Sequence, residues 1–258
     1  IAWNWTNGVP TILQPEEYAS RVSLVRGNDL HPHILRSNPP ELGERTLGVR
    51  PAPDGNWNDE FEFRHEQAKT FARQIRGSTH GRDTYQLAYR SKIKPSMTYP
   101  LSITSMTSSQ CSKIDKALRP ALLPALGFAR NLPLGIALGP SADGGQEIHV
   151  SEHEQGIRKI LTLAGHMRQG GRASDTLHIC IDWCQLIAGV SYPILRHPSL
   201  LIPHEEKCWI VHLRGYLKQH NLAIELTSSW SEPIQRLGDF HLMERIGPPH
   251  SALKATRL

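Results

Sequence analysis

The spacing of apolar and polar positions changes character along the chain and divides it into two parts. The opening run Ile-Ala-Trp-Asn-Trp-Thr is followed by Asn7-Gly8 and then by Val-Pro-Thr-Ile-Leu. Asn-Gly supplies the positive φ angles of a tight turn, so a β-hairpin is predicted over residues 1 to 13. Residues 26 to 44 are rich in Gly, Asn, Pro and Ser and include Pro39-Pro40, which predicts a loop. A short strand is predicted at Arg45-Thr-Leu-Gly-Val-Arg50, stopped by Pro51, Pro53 and Asp54-Gly55.

From Asn58 the period becomes helical. Ala68, Phe71, Ala72 and Ile75 fall at i, i+3, i+4 and i+7, and Gly77-Ser78 closes that helix. A second helix is predicted from about Arg82 to Ile93, with Tyr85, Ala88, Tyr89 and Lys92 on one stripe and Pro95 ending it. A third, capped by Thr107 or Ser108, carries Cys111, Ile114, Leu118, Leu122 and Ala125, with a kink expected at Pro120. Further helices are predicted at 153 to 168, 175 to 190 and 205 to 220, and a short strand at Leu222 to Leu226. The Gly-rich stretch Gly139 to Gly145 is the best candidate for a boundary. The fold class expected is therefore α+β and predominantly helical, with segments 1 to 50, 51 to 138 and 139 to 258.

Composition narrows the class. With 258 residues, 39% hydrophobic and 21% charged, the chain is long enough for a buried core. No apolar run approaches the roughly 20 residues of a membrane-spanning helix, so no membrane partner is expected. Cys111, Cys180, Cys184 and Cys208 lack the spacing of a disulfide framework, which predicts a reducing compartment and hence an intracellular protein, cytoplasmic or nuclear. The first residue is Ile1 and the opening resembles neither a signal nor a transit peptide, so the chain is expected to be processed or to begin inside a longer protein.

Charge is unevenly distributed. The net charge is +5, yet residues 64 to 94 alone hold Arg64, Lys69, Arg73, Arg76, Arg82, Arg90, Lys92 and Lys94 against Glu66 and Asp83. The whole basic excess therefore lies in two predicted helices. Lys69, Arg73 and Arg76 sit at i, i+4 and i+7, a stripe beside the apolar face from which a helix can offer cations to phosphates while packing. A solvated helix face is the competing reading.

The order of motifs adds to this. Thr46-Leu47-Gly48-Val49 is followed by Pro-Asp-Gly, by the helix with its Arg, Ala and Phe pattern, and by Ser78, Arg82, Tyr89, Pro95 and Tyr99-Pro100. That order resembles reverse transcriptases of non-LTR retrotransposons. Leu123-Pro-Ala-Leu-Gly-Phe-Ala-Arg-Asn131, Gln155-Gly156-Ile157 and Gln235-Arg-Leu-Gly-Asp239 with Leu242-Met243 are similar to the C-terminal continuation of such elements. The resemblance implies that Thr46, Leu47, Gly48 and Val49 form a primer-side strand after the catalytic palm. It also implies a helical thumb in which Lys69, Arg73, Arg76, Arg82, Arg90, Lys92 and Lys94 contact a template-primer duplex of RNA and DNA.

Chemistry is a separate matter. Polymerases of that family hold two Mg²⁺ ions on palm aspartates. The sequence has no Asp-Asp pair, so the expectation is a duplex-gripping fragment that carries no catalytic residue and no cofactor of its own, the Mg²⁺ and the palm domain being supplied by the parent polymerase. Gly-x-Ser-x-Gly is absent, and Gly139 to Gly145 lacks the lysine of a phosphate-cradling loop.

Two alternatives compete with this reading. His149-Val-Ser-Glu152-His153 matches the His-x-x-Glu-His pattern of inverted zinc peptidases, which would make a zinc hydrolase, with Glu225 or Glu232 as a distant third ligand. Because the helical period becomes clear only near residue 153, a polar loop entering a helix is preferred. His178, Cys180 and Cys184 read as core residues amid Ile179, Ile181 and Leu186, so no metal is assigned. A helical protein-interaction domain is the remaining alternative.

Overall fold

The computed structural model describes residues 3–6, 9–13, 23–24, 33–34, 38–190, 193–202 and 208–226. Its body is helical. Helix α1 spans Asn58–Arg76, α2 Arg82–Ala88, α3 Lys94–Thr98, α4 Ser108–Ala125, α5 Leu134–Leu138, α6 Ser151–Gln169, α7 Arg172–Ala188 and α8 Trp209–Gln219. None of them is long and apolar enough to cross a membrane, among the described residues.

The α+β class expected from the sequence is corrected to a helical one, because no β-sheet layer forms part of the body. Trp3–Thr6 runs beside Val9–Ile12, and Ser23–Leu24 beside His33–Ile34, only as isolated two-stranded ribbons. Pro10, opposite Trp5, has no amide hydrogen to give to the ladder, and a two-stranded ribbon lacks the third strand or packed face that makes a sheet stable. The Asn7-Gly8 turn lies outside the described residues. The strand expected at 45 to 50 is instead a tight turn. The Thr46 and Val49 amides donate to each other's carbonyls at 2.7 and 3.0 Å, with Leu47 at φ 51° and Gly48 at φ 87° between them. Glycine tolerates that left-handed backbone, so the chain reverses where a strand would have continued. The strand expected at Leu222 to Leu226 is absent as well; Ile224 N–H donates to the Leu195 carbonyl without a ladder.

Pro95 does not end a helix as expected. Between α2 and α3, residues Tyr89–Ile93 form a wide π-helical turn, and Pro95 then sits in the first turn of α3, where a missing amide hydrogen is not needed. Helix α4 continues through Pro120 and Pro124 from a capping box in which the Thr107 hydroxyl accepts from Gln110 N–H and the Gln110 side chain accepts from Thr107 N–H.

Two hydrophobic clusters hold the body. The first runs from Phe61 to Ile148 and packs α1 on α4 through Ala68, Phe71, Ala72 and Ile75 against Cys111, Ile114, Leu118 and Leu122. The second joins Leu163, Ile181, Ala188, Ile194, Leu195, Ile210, Leu213 and Leu217 from α6, α7, α8 and the connection between them. Helix α6 reaches both. Gly156 lets it approach α8 closely, since a Cβ there would lie 2.3 Å from the Tyr216 ring. The Gly139 to Gly145 stretch folds into a compact turn, with Gly145 N–H donating to the Pro140 carbonyl at 2.8 Å.

Candidate nucleic-acid interface

The Thr46–Val49 turn stands out from the body and is fixed at its base. Leu47 is 89% exposed at the tip. Beneath it, Arg64 donates from one terminal nitrogen to the Gly48 carbonyl at 2.9 Å and from the other to the Ser96 carbonyl at 2.8 Å and to Gln67 Oε1 at 3.0 Å. Its Nε donates to Glu60 Oε1 at 2.5 Å, and Glu60 Oε2 accepts the Arg50 amide at 2.9 Å. Both charged side chains are buried. Tyr99 adds a bond from its hydroxyl to the Leu47 carbonyl at 3.0 Å. Arg64 therefore clamps the turn to α1 and α3. The sequence counted it in the basic stretch, and its i,i+4 spacing from Glu60 fits a surface pair as well as a buried one.

The seven cations expected to meet phosphates fall into four groups. On α1, Lys69 and Arg73 share Glu66, at 3.5 and 2.7 Å, while Arg76 in the last turn is exposed without an ion pair among the described residues. Arg82, at the start of α2, lies over the Phe128 ring at 5.0 Å. Arg90 is exposed in the π-helical turn. Lys92 is also exposed and lines a cavity of about 180 Å³ with Phe71, Ile75 and Tyr85. Lys94 is half-buried and lies 3.8 Å from Glu154, in an open groove of about 520 Å³ that also contains Glu147, His149 and His153. Arg90 and Lys94 help to hold the Glu147 carboxyl below its usual range, after the larger effect of the Ser141 hydroxyl and amide hydrogen bonds. The basic stretch thus wraps around the body, and its α1 portion is partly neutralised by Glu66.

The zinc pattern is split among separate partners. His149 lies just before α6; its Nδ1 is hydrogen-bonded to the Tyr89 hydroxyl at 2.9 Å, and the same hydroxyl accepts the His149 backbone N–H at 2.8 Å. Burial pulls the His149 pKa down to about 4 and pushes Tyr89 up to about 12. Glu152 accepts from Ser108 and Gln219 on either side, at 2.8 and 2.9 Å. His153 is exposed and packs against His220, 4.9 Å between ring centres. None of the four cysteines forms a disulfide among the described residues, and Cys184 is buried in the second cluster.

The sequence reading missed one buried polar site. Lys159 is fully buried, donates to Ser105 Oγ at 2.7 Å and lies 5.2 Å from the Trp209 ring centre. Desolvation pulls its pKa down to about 7. Nearby, Gln155 bonds both polar groups of Met106, and His212 contacts the Met106 carbonyl at 2.9 Å. This network docks α8 and α6 onto residues 102–106. One lysine on an otherwise apolar helical face carries no sequence signal that separates it from a surface residue.

The chain has no match among protein-family models, curated proteins or solved structures. Its function must therefore be argued from the chemistry of its own surface.

Proposed function

We infer that the chain grips a template-primer duplex as part of a reverse transcriptase of the non-LTR type, while a palm domain of the parent polymerase supplies the Mg²⁺ pair. One observation carries the reading. The Thr46–Val49 turn, which the resemblance assigns to the primer end, presents an exposed Leu47 yet is held by a buried and well hydrogen-bonded Arg64–Glu60 pair. Burying two charges is costly unless geometry and hydrogen bonds compensate, and a surface turn has no stability need for such a clamp. A tip that must keep a fixed position against a partner does. The exposed cations Arg76, Arg82, Arg90 and Lys92 give the same partner a sequence-independent hold, and this reading carries an intracellular location, cytoplasmic or nuclear.

The test is titration of the protein with an RNA–DNA hybrid at several salt concentrations. The expected result is binding with a log–log slope of about −3 to −4, as if about four phosphates were neutralised, and no nucleotide incorporation with Mg²⁺. Absence of salt-dependent binding overturns the reading. In that event a protein-interaction domain takes its place, favoured by Ile179, Trp183 and Leu186, which are 66, 58 and 63% exposed along one side of α7.

A further inference from the structure

Helices α1 and α4 run in the same direction. Asn58 and Gln110 are hydrogen-bonded near their starts at 3.2 Å, and Ile75 and Leu122 near their ends line one cavity. Across the seam, Lys113 of α4 lies 5.9 Å from the centre of the Phe61 ring, which also stacks on His65 at 5.5 Å. Lys116 follows Lys113 by three residues on the exposed side of α4, and on α1 Lys69 follows His65 by four, with Glu62 exposed three residues before His65, so cations recur at about one-turn spacing on both helices.

Helix α4 offers nothing to neutralise this row. Lys113 and Lys116 are exposed and have no ion pair among the described residues. The helix has a single carboxylate, Asp115, which is buried and accepts from the Ser151 amide and hydroxyl, with Arg119 beside it at 3.9 Å. The exposed positions of α4 are Ser108, Ser109, Lys113, Lys116, Pro120 and Pro124, and no large apolar side chain is exposed on it. A protein partner would need buried aromatic or aliphatic anchors, which this face lacks. Lysine together with serine, asparagine and glutamine is instead the donor set that phosphodiester backbones receive.

The geometry points to the α1–α4 seam as the face that holds the nucleic-acid backbone, with Lys113 and Lys116 as its principal phosphate contacts. This rests on the duplex-gripping reading and moves its centre from the 64 to 94 stretch towards α4, outside the residues that the sequence singled out.

The test compares three full-length proteins on one RNA–DNA hybrid: the wild type, Lys113→Gln with Lys116→Gln, and Arg90→Gln with Lys92→Gln. Circular dichroism checks folding; all four side chains are exposed and glutamine is a good helix former, so helicity is retained. The expected result is a slope flattened by roughly two units in the Lys113/Lys116 variant, at about −0.9 per lost phosphate contact on B-DNA and about −0.7 on single strands, and a smaller change in the Arg90/Lys92 variant. An unchanged slope in the folded Lys113/Lys116 variant, with the wild type still salt-dependent, overturns the seam assignment alone. A wild type with no salt-dependent binding overturns the duplex-gripping reading and the seam with it.

Discussion

The two hydrophobic regions treat a buried cation differently at Arg64 and at Lys159. In the first, Arg64 is met by Glu60, Gln67 and two carbonyls, and Asp115 by Ser151. Its outer surface over α1 and α4 is polar and cationic. In the second, the Lys159 amine has one hydroxyl and a ring face for company, and both amide atoms of buried Gln185 lack a partner among the described residues. Its outer surface over α7 is apolar. Ions tolerate burial only where hydrogen bonds replace water, and exposed apolar stripes are tolerated where something covers them. The first region keeps a polar, cationic surface; the second keeps an unpartnered amide inside and an apolar side outside.

The largest expected effect breaks the clamp of the first region. Arg64→Ala leaves Glu60 buried without its cation and should cost about 3 to 5 kcal/mol by urea denaturation. Glu60→Leu with Arg64→Met, which removes both charges together, should recover most of that loss while freeing the Thr46–Val49 turn to exchange its amide hydrogens. If the single and double variants are equally unstable, the pair is not the unit that holds the region.

The second region should respond in the opposite direction. Burial holds Lys159 neutral above a pKa of about 7, while the unfolded chain keeps its proton up to the ordinary 10.5. Between those values the unfolded state binds more protons, so the contribution of this group to stability grows as pH rises and is at its minimum below about 7. Lys159→Met keeps the unbranched length and should raise stability by about 1 to 3 kcal/mol at pH 6. It should also flatten the rise in melting temperature between pH 7 and 10. A destabilised Lys159→Met protein with the same pH profile would show that the bond to Ser105 outweighs desolvation. His149 and His212, both pulled down to about 4 by burial, act at lower pH, where stability falls as pH drops from the ordinary 6.5 towards 4.

What the sequence made legible follows the same division. Periodicity located α1, α4, α6 and α7 because each buries a stripe of apolar residues at 3.6-residue spacing, and Thr107 or Ser108 announced a capped start. It failed at residues 45 to 50, where β-branched and apolar residues read as a strand while Gly48 at positive φ made a turn. Charge counting found the basic stretch but could not tell Arg64, turned inward by Glu60, from Arg76, which faces solvent. Lys113 and Lys116 went unnoticed because Asp115 between them cancels one charge in a linear count, although its carboxyl is buried and bonded to Ser151.

The smallest effect on stability should come from Glu66, which faces solvent on the same helix as Glu60. Its carboxylate is 59% exposed and shared by Lys69 and Arg73, whose side chains are 48 and 66% exposed. Exposed pairs of this kind contribute about 0 to 1 kcal/mol, because water already screens them and two long side chains lose freedom in pairing. Glu66→Gln should therefore leave the melting temperature almost unchanged. Its effect on binding is larger in proportion. Lys69 and Arg73 would no longer have to exchange a protein carboxylate for a phosphate, and like-charged repulsion between Glu66 and an approaching backbone would vanish. Duplex affinity should rise severalfold at low salt, with a log–log slope steeper by roughly one unit, and the gain should fade as salt screens the new contacts. A Glu66→Gln protein with unaltered affinity and slope would mean that the α1 stripe faces away from the duplex, leaving Lys113 and Lys116 to carry the interface from α4.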